Sequence, residues 1–496
     1  MATVLRRAAL IHLIAVTWVG AQGTPADSTG KWVDSIFAPF ASTASPGCAV
    51  GVTRGGQLQL ERTYGMASLA DHRRIAPDTR FYLASLSKQF TAMSIVLLSQ
   101  DGKLSLDDDV RRWVPEVPSF GAAITIRQLL SHTSGLRDYL TLLSLAGWPG
   151  DGTLTEQQFL DLIARQRGLN FPAGDQFLYS NTGYALLSIV VKRASGQSLR
   201  DFAAARIFQP LGMTHTEFRD DHTARIPARA LGYEPGARSG GKGTAGYRVS
   251  EPQFDVVGDG GMYSTVEDLA KWDANFDTGQ VGGVAGVALL AQPGTAGTAG
   301  RVPYALGLTV GTFQGLRTLS HGGAYGGYRT AFLRFPDQHL SVITLCNTSA
   351  APTTLAQQVA TVFLGQAMTR GVTMLDLQPD TVQAARVFGK AESGSGPDDQ
   401  RRRADEMSRI PGAYYSADLD MTVTLLVSDG AVVMRRPKAT DIRFSAFSGD
   451  LFTNGERMLL FVLRDDGGAV TGFTLTAGRV RDLPFTRKDA KPGSDR

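Results

Sequence analysis

The chain has 496 residues, 43% of them hydrophobic and 19% charged, a composition that fits a globular protein of two or more domains. Fifty Lys and Arg against 46 Asp and Glu leave a formal charge of +4. The excess is spread thinly, with no basic stripe, so nucleic acid is not an expected partner.

Arg6 and Arg7 precede an apolar run from Ala8 to Val19, interrupted by His12 and Thr17. Val19-Gly20-Ala21 then offers the small residues of a leader-peptidase site. Residues 1–21 read as a signal peptide cut after Ala21, which predicts a secreted or periplasmic protein. Spanning a bilayer takes about 20 apolar residues. This run falls short, and no integral membrane segment is expected after processing. Two cysteines, Cys48 and Cys346, sit in apolar runs. Two cannot frame a chain of this length, and they read as buried free thiols.

Cys48 to Arg54, Gly55-Gly56 and Gln57 to Tyr64 read as a β-hairpin. Residues 85–100 read as an amphipathic helix, with Phe90, Met93, Val96 and Leu97 at helical spacing and Asp101-Gly102 as its stop. Helical and loop segments alternate to about Trp272. Residues 281–301, rich in Gly and Ala, read as a surface loop. Strand signals return over 304–313, 315–321, 328–335 and 339–347. Two strands, a long helical insert and then these returning strands make an α/β (α+β sandwich) domain. It has an antiparallel sheet flanked by helices, plus a helical subdomain, and covers residues 30–368. Residues 369–409 read as a linker, with Ser393-Gly394-Ser395-Gly396-Pro397 at its centre and the solvated run Arg401-Arg402-Arg403 near its end. Beyond it, Asp429-Gly430, Asn454-Gly455, Asp466-Gly467 and Ala477-Gly478 punctuate short alternating strands. Residues 410–487 therefore read as a small all-β, barrel-like domain, and 488–496 as a tail.

Three elements carry chemistry. The pattern Ser-x-x-Lys occurs at Ser28–Lys31, Ser85–Lys88 and Ser239–Lys242. Residues i and i+3 share a helix face, so the lysine amine reaches the serine hydroxyl. Kept neutral by burial or a positive neighbour, that amine can take the hydroxyl proton. Ser85-Leu86-Ser87-Lys88 is the occurrence that opens a helix, where free backbone N–H groups favour developing negative charge. Second, Tyr179-Ser180-Asn181 precedes a helix carrying Tyr184, Leu187 and Val190. A tyrosine facing a Ser–Lys pair can relay protons, and Asn181 can donate to a substrate amide. Third, His321-Gly322-Gly323-Ala324 ends a strand, whose edge can hold an extended substrate and supply one oxyanion N–H. There is no Gly-x-Ser-x-Gly elbow, no His-Glu-x-x-His, no cysteine cluster and no phosphate loop. No metal and no cofactor are expected.

In this order the three elements resemble the serine β-lactamase and penicillin-binding-protein superfamily, in particular the class C-like branch with its esterases, D-aminopeptidases and D-alanyl-D-alanine carboxypeptidases. Thr125-Ile126-Arg127-Gln128-Leu129-Leu130-Ser131-His132-Thr133-Ser134-Gly135-Leu136 and the segment from Gly260-Gly261-Met262 to Trp272 are similar to structural signatures of that branch. The resemblance covers roughly residues 30–365. It implies Ser85 as nucleophile, Lys88 as its base and Tyr179 as proton relay. It further implies substrate contacts at Asn181, His321 and Gly323, and an oxyanion hole from the backbone N–H groups of Ser85 and Ala324. Many members carry Lys-Thr-Gly in the third element, where the lysine is associated with a substrate carboxylate; His321 stands there instead. The implied activity is hydrolysis, through an acyl-enzyme, of small esters or D-amino-acid-containing peptides and amides, with β-lactams as a further class. The alternative is an acylated sensor or binding protein without turnover.

Overall fold

Alternation along the last strand of the main sheet defines two layers of core. Leu340, Val342 and Cys346 point into one cluster with Val33, Phe37, Leu355 and Val359, whereas Ile343 and Leu345 point into the other with Phe90, Leu269 and Phe332. Successive side chains leave a strand on opposite faces, so each face can bury its own set of helices. The helices Pro25–Phe37 and Pro352–Leu364 cover the first face, while Lys88–Gln100 and Val266–Thr278 cover the second. The sheet has six antiparallel strands, in the order Thr309–Phe313, Leu316–Tyr325, Tyr328–Phe335, Leu340–Cys346, Cys48–Arg54 and Gln57–Tyr64. Four strands therefore return after the helical insert, one for each of the strand signals over 304–313, 315–321, 328–335 and 339–347.

This computed structural model describes residues 25–150, 152–236, 246–297, 300–368, 405–437, 439–455 and 458–488. The expected leader over 1–21, the linker as far as 404, the tail after 488 and the Ser239–Lys242 pair lie outside the described residues. Among the described residues no helix is long and apolar enough to cross a membrane.

Three expectations need correction. Cys48 and Cys346 are not free thiols: they form a disulfide with a Cα–Cα distance of 4.0 Å. The register of the first and last sheet strands sets Cys48 directly opposite Cys346, across 298 residues of sequence. That pairing is a long-range fact no local pattern carries. Closing so long a loop restricts the unfolded chain and contributes about 2–5 kcal/mol. Residues 281–301 are not simply a loop, because Gly283–Leu290 is helical and Thr295–Ala296 pairs with Gly300–Arg301. Leu290 is fully buried, and that burial outweighs the poor helix propensity of the glycines. The helix Lys88–Gln100 is not amphipathic, since every residue from Lys88 to Leu98 is buried. Its polar side chains are satisfied internally: Thr91 donates to the Gly258 carbonyl at 2.8 Å, and Trp272 Nε1 donates to Gln89 Oε1 at 3.0 Å.

The C-terminal strands from Gly412–Ser416 to Val480–Arg487 close an eight-stranded barrel, with Tyr414 opposite Arg487. Its interior is filled by buried side chains including Val423, Phe444, Leu460 and Leu483, with Phe473 stacked on Phe485 at 4.4 Å. A barrel of this size packed with its own side chains keeps no ligand lumen. It docks on the helical subdomain instead. Arg137 Nη1 meets Asp418 Oδ2 at 2.6 Å, both side chains being buried, and Arg137 also donates to the Arg481 and Asp482 carbonyls.

Candidate active site

Ser85 lies on a 3-10 turn, Ala84–Ser87, that leads directly into the helix Lys88–Gln100. Ala84 has φ +49°, a left-handed conformation that costs energy outside glycine and is held here by its surroundings. Strand Leu316–Tyr325 packs against this turn. A Cβ on Gly323 would stand 2.1 Å from the Leu83 carbonyl oxygen and 2.3 Å from Thr330 Oγ1, so only glycine permits the approach. Thr330 Oγ1 donates to that same carbonyl at 2.9 Å.

Lys88 is fully buried one helical turn after Ser85, and its ammonium donates to three acceptors. These are Ser85 Oγ at 3.1 Å, Asn181 Oδ1 at 2.9 Å and the Asp259 carbonyl at 2.7 Å. Burial lowers its pKa to about 7; Asp259 opposes that shift and Arg479 adds to it. Burial also raises the Asp259 carboxyl above its usual range, against the pull of Lys88 and of the Tyr139 hydroxyl, which donates to it at 3.0 Å. An amine that is half neutral near pH 7 and 3.1 Å from a hydroxyl is placed to accept its proton.

Tyr179 sits in the loop before helix Asn181–Ser195, and its ring centroid is 5.0 Å from Lys88 Nζ. Its buried hydroxyl makes no hydrogen bond of good geometry, yet the Ser85 hydroxyl is close enough to pull its pKa down, against the larger effect of burial. Burial nonetheless holds the phenol above its ordinary pKa. His132 fixes the loop. Its carbonyl accepts from Leu178 N at 3.0 Å, its Nδ1 accepts from Ser180 N at 3.2 Å, and its ring lies 4.1 Å from that of Tyr179. Burial keeps His132 neutral. Asn181 N in turn donates to Asp138 Oδ2 at 2.7 Å, anchoring the helix start.

His321 is buried on strand Leu316–Tyr325. Its Nδ1 lies 2.6 Å from the Gly322 carbonyl, which can only accept, so Nδ1 carries the proton and Nε2 accepts from the Tyr304 hydroxyl at 2.9 Å. Burial, with Lys88 adding to it, lowers its pKa to about 3, and the imidazole is neutral. Ala324 follows on the same strand, paired with Arg329. The structure thus gathers Ser85, Lys88, Tyr179, Asn181, His321 and Gly323 around one turn, whereas Ser28 lies on the separate helix Pro25–Phe37.

Four contributors escape the sequence reading. Asp259 stands just before the Gly260-Gly261 pair, where only its position beside a signature hinted at a role. His132 lies within the other signature, and Asp138 stands two residues after it. Arg479 comes from the barrel: its guanidinium carbon lies 4.6 Å from the Tyr179 ring centroid, and its Nη1 is 3.9 Å from Asp138 Oδ2.

Residues 33–367 match the family model described as Beta-lactamase, two thirds of the chain. The chain belongs to the beta-lactamase family. It is 28% identical over 453 residues to a D-aminopeptidase of Cereibacter sphaeroides, covering 88% of this chain and 86% of that protein. It is 31% identical over 327 residues to penicillin-binding protein 4* of Bacillus subtilis, covering 64% and 71% respectively. Among solved structures, the octameric penicillin-binding protein homologue from Pyrococcus abyssi superposes with a TM-score of 0.58 at 20% identity, covering 94% of this chain and 99% of that one. That likeness shows the fold, including the barrel. With its family established, this beta-lactamase-family chain is a serine hydrolase.

The pKa of Lys88 gives a pH dependence with a definite sign. Below about pH 7 the amine is protonated and cannot accept the Ser85 proton; above it the free base dominates. The rate of Ser85 acylation by a neutral reagent should rise through pH 7 and level off by pH 9. Rates independent of pH between 6 and 9 would remove Lys88 as the base.

Proposed function

We propose that the chain hydrolyses small esters or D-amino-acid-containing peptides and amides through an acyl-enzyme on Ser85. The observation that carries this reading is the buried Lys88 ammonium 3.1 Å from Ser85 Oγ, its acidity raised by burial. Ser85 Oγ attacks the acyl carbon as its proton passes to Lys88 Nζ. The backbone N–H groups of Ser85 and Ala324 receive the oxyanion. Tyr179, protonated because burial raises its pKa, gives its proton to the leaving group and recovers one from Lys88. Water then repeats the sequence on the ester. Asn181 holds Lys88 through Oδ1, leaving its amide nitrogen as the donor to substrate.

The D-aminopeptidase relative supports the amide and peptide class. An active-site-directed fluorophosphonate should label Ser85 alone, as mapped by peptide mass. A panel of esters, D-amino-acid amides and peptides, and a cephalosporin should show turnover in the first two classes that Ser85→Ala abolishes. Label on another serine, or turnover confined to the cephalosporin, would sink the reading.

A secreted or periplasmic location is part of the same proposal. It is supported by the leader-like segment over 1–21 and by the Cys48–Cys346 disulfide, a bond that persists in oxidising compartments. N-terminal sequencing of the mature protein should begin at Gln22; an intact Met1 would contradict it.

A further inference from the structure

We propose that Asp259 is a positioning residue for acylation, whose buried carboxylate stands as the counter-charge to Lys88 and sets the pH range in which Ser85 reacts. This rests on the acyl-enzyme reading above and adds a group that acts through its base.

The geometry begins with the turn that carries Asp259. Gly258 takes φ +105°, and a Cβ there would stand 2.5 Å from the Tyr184 carbonyl oxygen, so only glycine lets the turn come this close to helix Asn181–Ser195. Three hydrogen bonds then lock the turn. Thr91 Oγ1, one helical turn beyond Lys88, donates to the Gly258 carbonyl at 2.8 Å. Lys88 Nζ donates to the Asp259 carbonyl at 2.7 Å. Gly261 N donates to the Tyr82 hydroxyl at 3.1 Å. A side chain on such a turn has a fixed origin. The Asp259 carboxylate is buried there and accepts from the Tyr139 hydroxyl at 3.0 Å. Because the carbonyl of the same residue touches the ammonium, the carboxylate lies only a few bonds from the charge it faces.

The other groups around Lys88 leave that role to Asp259. His321 and His132 are neutral, and burial keeps the Tyr179 and Tyr184 phenols protonated. Burial pushes Lys88 toward the free amine; Asp259 opposes this first and Asp138 less, while Arg479 adds to it. Asp138 is committed elsewhere. It accepts from Asn181 N at 2.7 Å and Thr141 N at 3.0 Å, and it lies 3.9 Å from Arg479 Nη1. Asp259 receives a neutral phenol, so its negative charge is left to act on Lys88. A base works best with its pKa near the working pH. Burial without the counter-charge would carry the amine below that point, where it takes the Ser85 proton too weakly. The Asp259 carboxylate holds it up.

The test uses the full-length protein and the rate at which a small neutral fluorophosphonate labels Ser85 across the pH range. In the wild type the rate rises through about pH 7, so labelling at pH 6 should run at about a tenth of its rate at pH 9. Asp259→Asn keeps the side-chain shape and the backbone carbonyl but removes the charge. Its rising limb should move to lower pH by about one unit, the small end of what a removed counter-charge does, and the ratio of the two rates should climb to about a half. Tyr139→Phe keeps the carboxylate and removes its donor. Burial already raises that carboxyl against the pull of Lys88 and Tyr139, so without the phenol it keeps its proton to higher pH and supports the ammonium less. This limb should move the same way by a smaller amount. Packing damage alone lowers the rate at every pH and leaves the limb in place, and a ratio taken within each variant cancels that loss. Should Asp259→Asn fail to fold, Tyr139→Phe decides. A limb that stays at the wild-type pH in the folded variants, or moves to higher pH, overturns the proposal. Ser85 that is still labelled in those cases leaves the acyl-enzyme reading standing. Absence of label on wild-type Ser85 removes that reading, and this proposal with it.

Discussion

Lys88→Arg is expected to slow acylation of Ser85 by about a hundredfold to ten-thousandfold, the usual contribution of a positioned base. The substitution keeps a cation of similar length but removes the proton acceptor, because a guanidinium stays protonated at every pH the protein tolerates. The neighbouring groups sharpen this assignment. Burial drives Lys88 down to about 7 and the Tyr179 phenol up, so near neutral pH the lysine is the available base and the tyrosine the available acid. Arginine is also bulkier, in a position with no exposed surface. Lys88→Met, which is apolar and fits the same volume, provides the control for crowding. Both variants should fall together in single-turnover acylation with a chromogenic ester, whereas their melting temperatures should differ. An arginine variant retaining most of its acylation rate would transfer the base role to another group, with Tyr179 the first candidate.

Local chemistry made the core of this site legible. Ser85–Lys88 stood out because one of three Ser-x-x-Lys matches opens a helix, and the Tyr179 loop and the His321 strand lay where secondary-structure patterns put them. The hairpin from Cys48 to Tyr64 and the barrel strands were legible for the same reason, since alternation and Gly turns are written within ten residues. What escaped depends on contacts across hundreds of residues. The Cys48–Cys346 bond follows from pairing the first strand with the last, which topology decides. Asp259 enters the site through a backbone carbonyl, and a carbonyl has no residue-type signature. Arg479 sits on a turn that the sequence flagged at Ala477-Gly478, but nothing local says that the turn faces Tyr179. The amphipathic pattern of the Ser85 helix misled for a related reason: Thr91 and Gln89 look solvent-facing until their distant partners are known.

Asp418→Ala is expected to cost about 3–5 kcal/mol, the largest stability effect foreseen for a single substitution here. Asp418 and Arg137 are fully or almost fully buried and meet at 2.6 Å, and Asp418 Oδ2 also accepts from Arg167 N at 3.3 Å. Removing the carboxylate strands a guanidinium where water cannot replace the lost partner, and such an uncompensated charge carries the penalty. Replacing both members with apolar residues, as in Arg137→Met with Asp418→Leu, removes the charge as well and should recover most of the loss. Chemical denaturation of the two single variants and the double variant measures the coupling directly. Catalysis should follow, because Arg137 also holds the carbonyls of Arg481 and Asp482, the residues that carry the Arg479 tip. Asp418→Ala should therefore slow acylation of Ser85 even below its unfolding temperature. The same logic applies to a chain cut near Gln400, which loses the barrel and the Arg479 tip together. That chain should change its substrate preference, because Arg479 no longer covers the Tyr179 ring. If Asp418→Ala unfolds with the wild-type midpoint and keeps the wild-type acylation rate, the barrel is an appendage and the buried pair does not couple it to the site.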